Sequence, residues 1–235
     1  MRVPFLAKTE LAAAADALLT GYEEMTGRPV APPVPVEEII ENFLGLRCGY
    51  VDFDSQEGMA GVLGATYVPK KLILINQNLV GEGKEGRAAF TMDHEAGHWQ
   101  LHRAYVGKLT RAGDGPAAID QTILCRSQDA KKPIEWQADY FAGCLLLPEK
   151  HVRSAFRRTF APEAIDIVNV QEDFVSSPQW FDPCVDNWPL LAGAVKETGG
   201  FDNVSGQAMI IRLQELGLVV NHTGTAMGWH RHHSL

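Results

Sequence analysis

In the stretch His94-Glu95-Ala96-Gly97-His98, two imidazoles stand four residues apart with a carboxylate between them. On an α-helix, residues i and i+4 lie nearly one above the other, so His94 and His98 can grip one metal ion. Glu95 projects about a quarter-turn away, near enough to act on a water held by that metal. Gly97 inside a helix costs about 1 kcal/mol relative to alanine, so close contact with another element is expected there.

A second stretch completes the pattern. Glu135 lies 37 positions after His98 and opens Glu135-Trp136-Gln137-Ala138-Asp139-Tyr140-Phe141-Ala142-Gly143-Cys144-Leu145-Leu146-Leu147-Pro148. Good helix formers fill it, and Pro133 and Pro148 mark its ends. Glu135 and Asp139 share a face with Ala138 and Ala142. A catalytic zinc takes three protein ligands and keeps a fourth position open. Glu135 is the best third ligand. Asp139 can then accept a hydrogen bond from the free ring nitrogen of a ligand histidine, which fixes its tautomer. The small residues Ala96, Gly97, Ala138 and Ala142 suit two helices packed closely enough to share one metal. The chemistry these groups support is metal-assisted amide hydrolysis, with Glu95 as general base. Zinc is the default metal; two histidines and a carboxylate also accept manganese or iron. His102 stands one further turn along. A single ion touching three consecutive turns is poor tetrahedral geometry, so His102 is expected to pack or hydrogen-bond beneath the site.

With these motifs in place, the chain resembles the ImmA/IrrE metallopeptidases, within the thermolysin-like zincins whose third ligand is a glutamate. The matching residues run from Pro33 to Ile40 with Leu44-Gly45-Leu46, and through Gly61–Tyr67 and Leu72–Asn76. They continue at His94-Glu95-x-Gly97-His98 with Leu101-His102, and at Glu135-x-x-Ala138-Asp139-x-Phe141-Ala142-x-x-Leu145-Leu146-x-Pro148. Val204-Ser205, Ala208-Met209, Arg212-Leu213 and Leu216-Gly217-Leu218 close the resemblance, which covers roughly residues 33 to 220. It implies His94, His98 and Glu135 as metal ligands and Glu95 as general base. It also implies site-specific cleavage of a helix-turn-helix repressor, so the expected partner is a protein substrate that binds DNA. The rival from another class is a regulatory protein that keeps the metal site and acts by binding a repressor or DNA.

The expected fold is α+β and zincin-like: a small antiparallel sheet on the active-site helix, further helices, and a helical C-terminal part. Three regions are expected. Residues 1–35 form a helix and a Pro-rich lead-in, 36–160 the metallopeptidase core, and 161–235 a C-terminal helical region ending in a disordered tail. Within them, helices are predicted at about 9–25, 36–43, 84–105, 135–147, 148–160 and 204–216. Strands are predicted at 46–53, 61–68 and 71–76, with a short one at 122–125. Residues 161–203 read as irregular. The last helix is either packing or half of a winged-helix element, and with Arg212 its only cation packing is favoured. An extended substrate would pair with the edge of Gly61–Tyr67.

Composition narrows the remaining classes. A net charge of −8 and a pI near 5.5 argue against direct nucleic-acid binding. Cys48, Cys125, Cys144 and Cys184 show no C-x-x-C pairing, which fits reduced thiols in a cytoplasmic protein, and Cys144 reads as core. No stretch approaches the length of a membrane span, so no membrane partner is expected. Oligomeric state is left open by the sequence. The tail histidines His230, His232 and His233 read as adventitious metal binders at most.

Overall fold

The computed structural model describes residues 3–105, 122–126, 132–161, 165–167 and 187–222. The tail, its histidines, Cys184 and the Trp180–Phe181 segment lie outside the described residues.

The chain opens with helix α1, Lys8–Thr26. Glu10 accepts the Ala7 backbone N–H at its start, and Gly27 ends it in the left-handed region at φ 67°. Its stripe of Leu11, Ala15, Leu18, Leu19 and Tyr22 is buried, as the i, i+4, i+7 spacing requires. After the proline-rich segment, α2 (Val36–Glu38) runs into a π-helical turn at Ile39–Phe43.

Three strands follow: β1 (Arg47–Val51), β2 (Val62–Tyr67) and β3 (Leu72–Asn76). A fourth, β4 (Thr122–Arg126), joins them after helix α3 (Glu85–Gly97). The sheet order is β1-β3-β2-β4. Strand β2 is antiparallel to both neighbours, whereas β1 runs parallel to β3. The sheet is therefore mixed rather than wholly antiparallel. The parallel pair is possible because β2 lies between β1 and β3 in sequence but on the far side of β3 in space. Strand β2 is also interior, so the expectation that Gly61–Tyr67 offers a free edge to substrate is corrected. The short 122–125 strand, predicted without a partner, takes that edge.

Helix α3 passes under the sheet and continues as a π-helical turn, His98–His102. Every residue from Ala89 to His98 is buried, because the sheet covers one side and helix α4 (Pro133–Leu146) the other. Pro133 sits in the first turn of α4, where its missing N–H costs nothing. At the crossing, a Cβ on Gly97 would lie 3.1 Å from Phe141 and 3.3 Å from the Ala138 backbone. The glycine is there to let two helix backbones approach. Helix α1 packs on the other flank of α4.

Beyond Pro148 come α5 (Glu149–Phe160), α6 (Trp188–Gly199) and α7 (Gly206–Glu215). Helix α6 overturns the reading of 161–203 as irregular throughout. Pro189 occupies the first turn, and Trp188, Leu191, Ala192 and Val195 form a buried stripe. Strands β5 (Ile165–Ile167) and β6 (Val219–Asn221) form a separate parallel pair. Arg212, the lone cation of α7, is 4% exposed and donates from Nε to the Leu147 carbonyl at 3.0 Å, a packing role. The fold is α+β and zincin-like. Among the described residues no helix is long and apolar enough to cross a membrane.

Candidate metal centre

Helices α3 and α4 bring His94, His98, Glu135 and Asp139 together between them. One oxygen of Glu135, Oε2, lies 3.1 Å from His94 Nε2 and 3.4 Å from His98 Nε2. Asp139 Oδ1 is 2.8 Å from His94 Nδ1, so that ring donates outward to Asp139 and turns Nε2 toward Glu135. All four side chains are buried.

The orientation of His98 is set by a longer relay. Gln137 donates its amide N–H to the Pro4 carbonyl at 2.8 Å, which leaves its oxygen facing His102. His102 Nε2 donates to that oxygen at 3.0 Å. Burial lowers the His102 pKa to about 4, so the ring is neutral and its Nδ1 is an acceptor. His98 Nδ1 stands 3.0 Å from it and must be the donor. The unprotonated nitrogen of His98 is then Nε2, which is buried and makes no hydrogen bond. His102 thus sits beneath the site, and the widened π-helical turn carries its contact with His98.

Strand β2 supplies the setting of Glu95. Thr66 Oγ1 donates to Glu95 Oε2 at 2.6 Å. The other oxygen, Oε1, is buried without a partner. A Cβ on Gly64 would lie 2.6 Å from Oε1, so only glycine leaves the carboxylate room. Burial raises the Glu95 pKa against the pull of His98, His94 and Thr66, in the direction a general base needs at neutral pH. Glu135 is pushed upward by burial, but its contact with His94 and the nearby His98 ring prevail and hold it well below the usual carboxylate range. Burial opposes charge on His94, yet Cys125, Asp139 and Glu135 together raise its pKa well above the ordinary value. Ligands bind metals in exchange for protons, so a metal ion held by His94 and Glu135 would replace a proton between them.

These donors fit a metal ion. His94, Glu135 and Cys125 each offer a ligand atom within 4.8 Å of one another, and His98 Nε2 points its lone pair at the same Glu135 oxygen. Cys125, Thr66, Gly64 and Gln137 were not singled out from the sequence. The first three lie on strands whose register no local pattern reports. Gln137 shares its helix with Glu135 and Asp139 two residues to either side, the one signal that could have marked it. Asp93 is fully buried with both carboxyl oxygens unpartnered, and burial raises its pKa well above the ordinary carboxylate value. Of the other polar groups near the sequence motifs, Tyr140 lies under Lys8 and His151 bonds the Val30 carbonyl, so both are engaged elsewhere. A cavity of about 540 Å³ borders α2, β1 and the start of α3, and none of the metal-facing side chains lines it.

No curated protein matches the chain closely enough to count as a relative. The family model of the IrrE N-terminal-like domain, which defines the M78 peptidases, matches residues 50–181. That span is more than half of the chain and takes in His94, Glu95, His98 and Glu135. With a buried donor set suited to a metal at the centre of the matched region, the chain belongs to this family of metal-dependent peptidases.

Proposed function

We propose that His94, His98 and Glu135 hold a zinc ion, that Glu95 is the general base, and that the protein cleaves a helix-turn-helix repressor at a specific peptide bond. The observation that carries the site assignment is the convergence of His94 Nε2 and the orphaned His98 Nε2 on one Glu135 oxygen. Bound zinc would supply Lewis acidity toward a scissile carbonyl and toward water.

The remaining work belongs to this chain's own groups. Glu95 Oε2 is anchored by Thr66, so Oε1 is the oxygen free to take a proton from water and pass it to the leaving amine. Asp139 keeps the proton of His94 on Nδ1, and the Gln137–His102 pair keeps that of His98 on Nδ1. Enclosure of all these groups keeps bulk water from competing for their hydrogen bonds. Choice of a repressor as substrate is supported by the family resemblance, and the net charge of −8 suits a partner with a basic DNA-binding face.

The test is the metal content of purified wild type, Glu135→Ala and Glu95→Gln, paired with cleavage of a co-expressed helix-turn-helix protein followed by mass spectrometry. Wild type should carry one equivalent of metal, Glu135→Ala much less, and Glu95→Gln a full equivalent with no cleavage. A wild type that takes up no metal after reconstitution would remove the site assignment. Scattered rather than single-site cleavage would remove the repressor reading.

A further inference from the structure

We propose that Cys125 is a fourth protein ligand of this metal, so that strand β4 holds the site closed and must move before a peptide can be cleaved. The inference rests on the metal site proposed above and concerns what fills its remaining position.

Register places the thiol. In an antiparallel pair, directly opposite residues point to the same face of the sheet. Cys125 is opposite Gly64, and Ile123 is opposite Thr66. Gly64 and Thr66 are the two β2 residues that meet Glu95, so Cys125 faces the same cleft. The intervening pair, Ala65 and Leu124, turns to the outer face with Phe53 and Val62. Cys125 is 3% exposed, and its sulfur lies within 4.8 Å of ligand atoms of both His94 and Glu135. The second observation is independent of the cysteine. His98 Nε2 is fully buried without a hydrogen-bond partner, 3.4 Å from the Glu135 oxygen that His94 Nε2 also meets. An imidazole lone pair left unpaired in the core is costly unless a ligand belongs there.

Coordination chemistry turns this placement into a functional statement. Catalytic zinc sites keep three protein ligands and an open position, whereas sites with four protein ligands are closed. Two imidazoles, a carboxylate and a thiolate make a closed set, and the soft sulfur favours zinc over manganese. Closing the site breaks the Cys125 S–H bond, forms a sulfur–metal bond and releases the proton to solvent. Opening reverses this: sulfur leaves, takes a proton, and frees the position for water. Strand β4 also covers the edge of β2 beside Glu95, where an extended peptide would otherwise find backbone partners next to the general base. One movement of β4 would therefore clear both the metal and the strand edge.

X-ray absorption on the zinc-loaded full chain tests the ligand. One sulfur at about 2.3 Å among nitrogen and oxygen neighbours is expected. Cys125→Ser should lose that sulfur and keep the metal, while Cys48→Ser should retain both. Wild type with zinc bound and only nitrogen and oxygen neighbours overturns the proposal and leaves the His94/His98/Glu135 site standing. Wild type that binds no zinc overturns both. For the closed state, zinc should slow amide exchange across residues 122–126, and Cys125→Ser should cleave the helix-turn-helix protein of the cleavage test at least tenfold faster than wild type. If Cys125→Ser does not fold, the wild-type spectrum and its exchange with and without zinc still decide. Unchanged exchange, or a folded Cys125→Ser no faster than wild type, means that a peptide is accommodated with β4 in place and overturns the closed state.

Discussion

At the scale of the residue, the centre depends on side chains that never touch the reacting atoms. Gly64 is the sharpest case, since a single methyl there would stand 2.6 Å from Glu95 Oε1 and 2.9 Å from its Cγ. The strand cannot retreat without breaking its ladders to β3 and β4, so the carboxylate must shift. Gly64→Ala should lower kcat roughly 100-fold, the cost of a displacement near 1 Å, with metal content unchanged by elemental analysis. Gln137 acts at greater distance, through the tautomers of His102 and His98. Gln137→Leu should weaken metal affinity about 10- to 100-fold in a chelator competition. Gln137→Glu, which still presents an acceptor to His102, should recover most of it. Equal affinity for Gln137→Leu and wild type would mean that the relay does not position His98.

At the scale of the element, the two helices are built for close approach. The cost of Gly97 in a helix, about 1 kcal/mol, is offset by the contact it permits with Ala138 and Phe141. Gly97→Ala gains propensity and loses clearance, so its net effect is small. Gly97→Val adds two further carbons at a crossing already at 3.1 to 3.3 Å. It should cost about 1–3 kcal/mol, read as a fall of roughly 2–4 °C in Tm per kcal/mol, with metal affinity falling as the helices part. Much at this scale was legible in the sequence. The helical run from α3 into the π-helical turn that carries both histidines, the proline bounds of α4 and the apolar stripe of α1 all follow from local periodicity and capping. Helix α6 was not: it lies in the stretch read as irregular, and Pro189 is compatible with a helix only because it falls in the first turn. Sheet order was not either: nothing in Thr122–Arg126 says that it will pair with β2 and take the edge expected of Gly61–Tyr67.

At the scale of the whole molecule, the chain closes on its centre from both ends. Pro4 reaches Gln137 from the N-terminal side, and Arg212 on α7 holds the Leu147 carbonyl at the end of α4. Arg212→Leu leaves that carbonyl unpaired in the core and should cost about 1–3 kcal/mol. A single shifted calorimetric transition is expected, whereas two transitions would show that α5–α7 melt apart from the metal-bearing helices. Metal should act on the same transition. At 100 times its Kd, a ligand bound only by the folded state adds about 2.7 kcal/mol, so chelation should lower Tm and added zinc should restore it. A Tm indifferent to metal would count against a site buried in the fold.

By itself the sequence determined the chemistry on offer: a pair of histidines and a glutamate on one helix, a glutamate and an aspartate on another, each at i, i+4 spacing. Spacing within a helix is a local property, set by 3.6 residues per turn, and needs no knowledge of the rest of the chain. Tertiary structure alone decided what surrounds those groups. That Thr66 anchors Glu95, that Gly64 yields it room and that Cys125 faces His94 all depend on strand register. Register is a relation between distant segments, and a slip of one residue would turn each of these side chains to the opposite face.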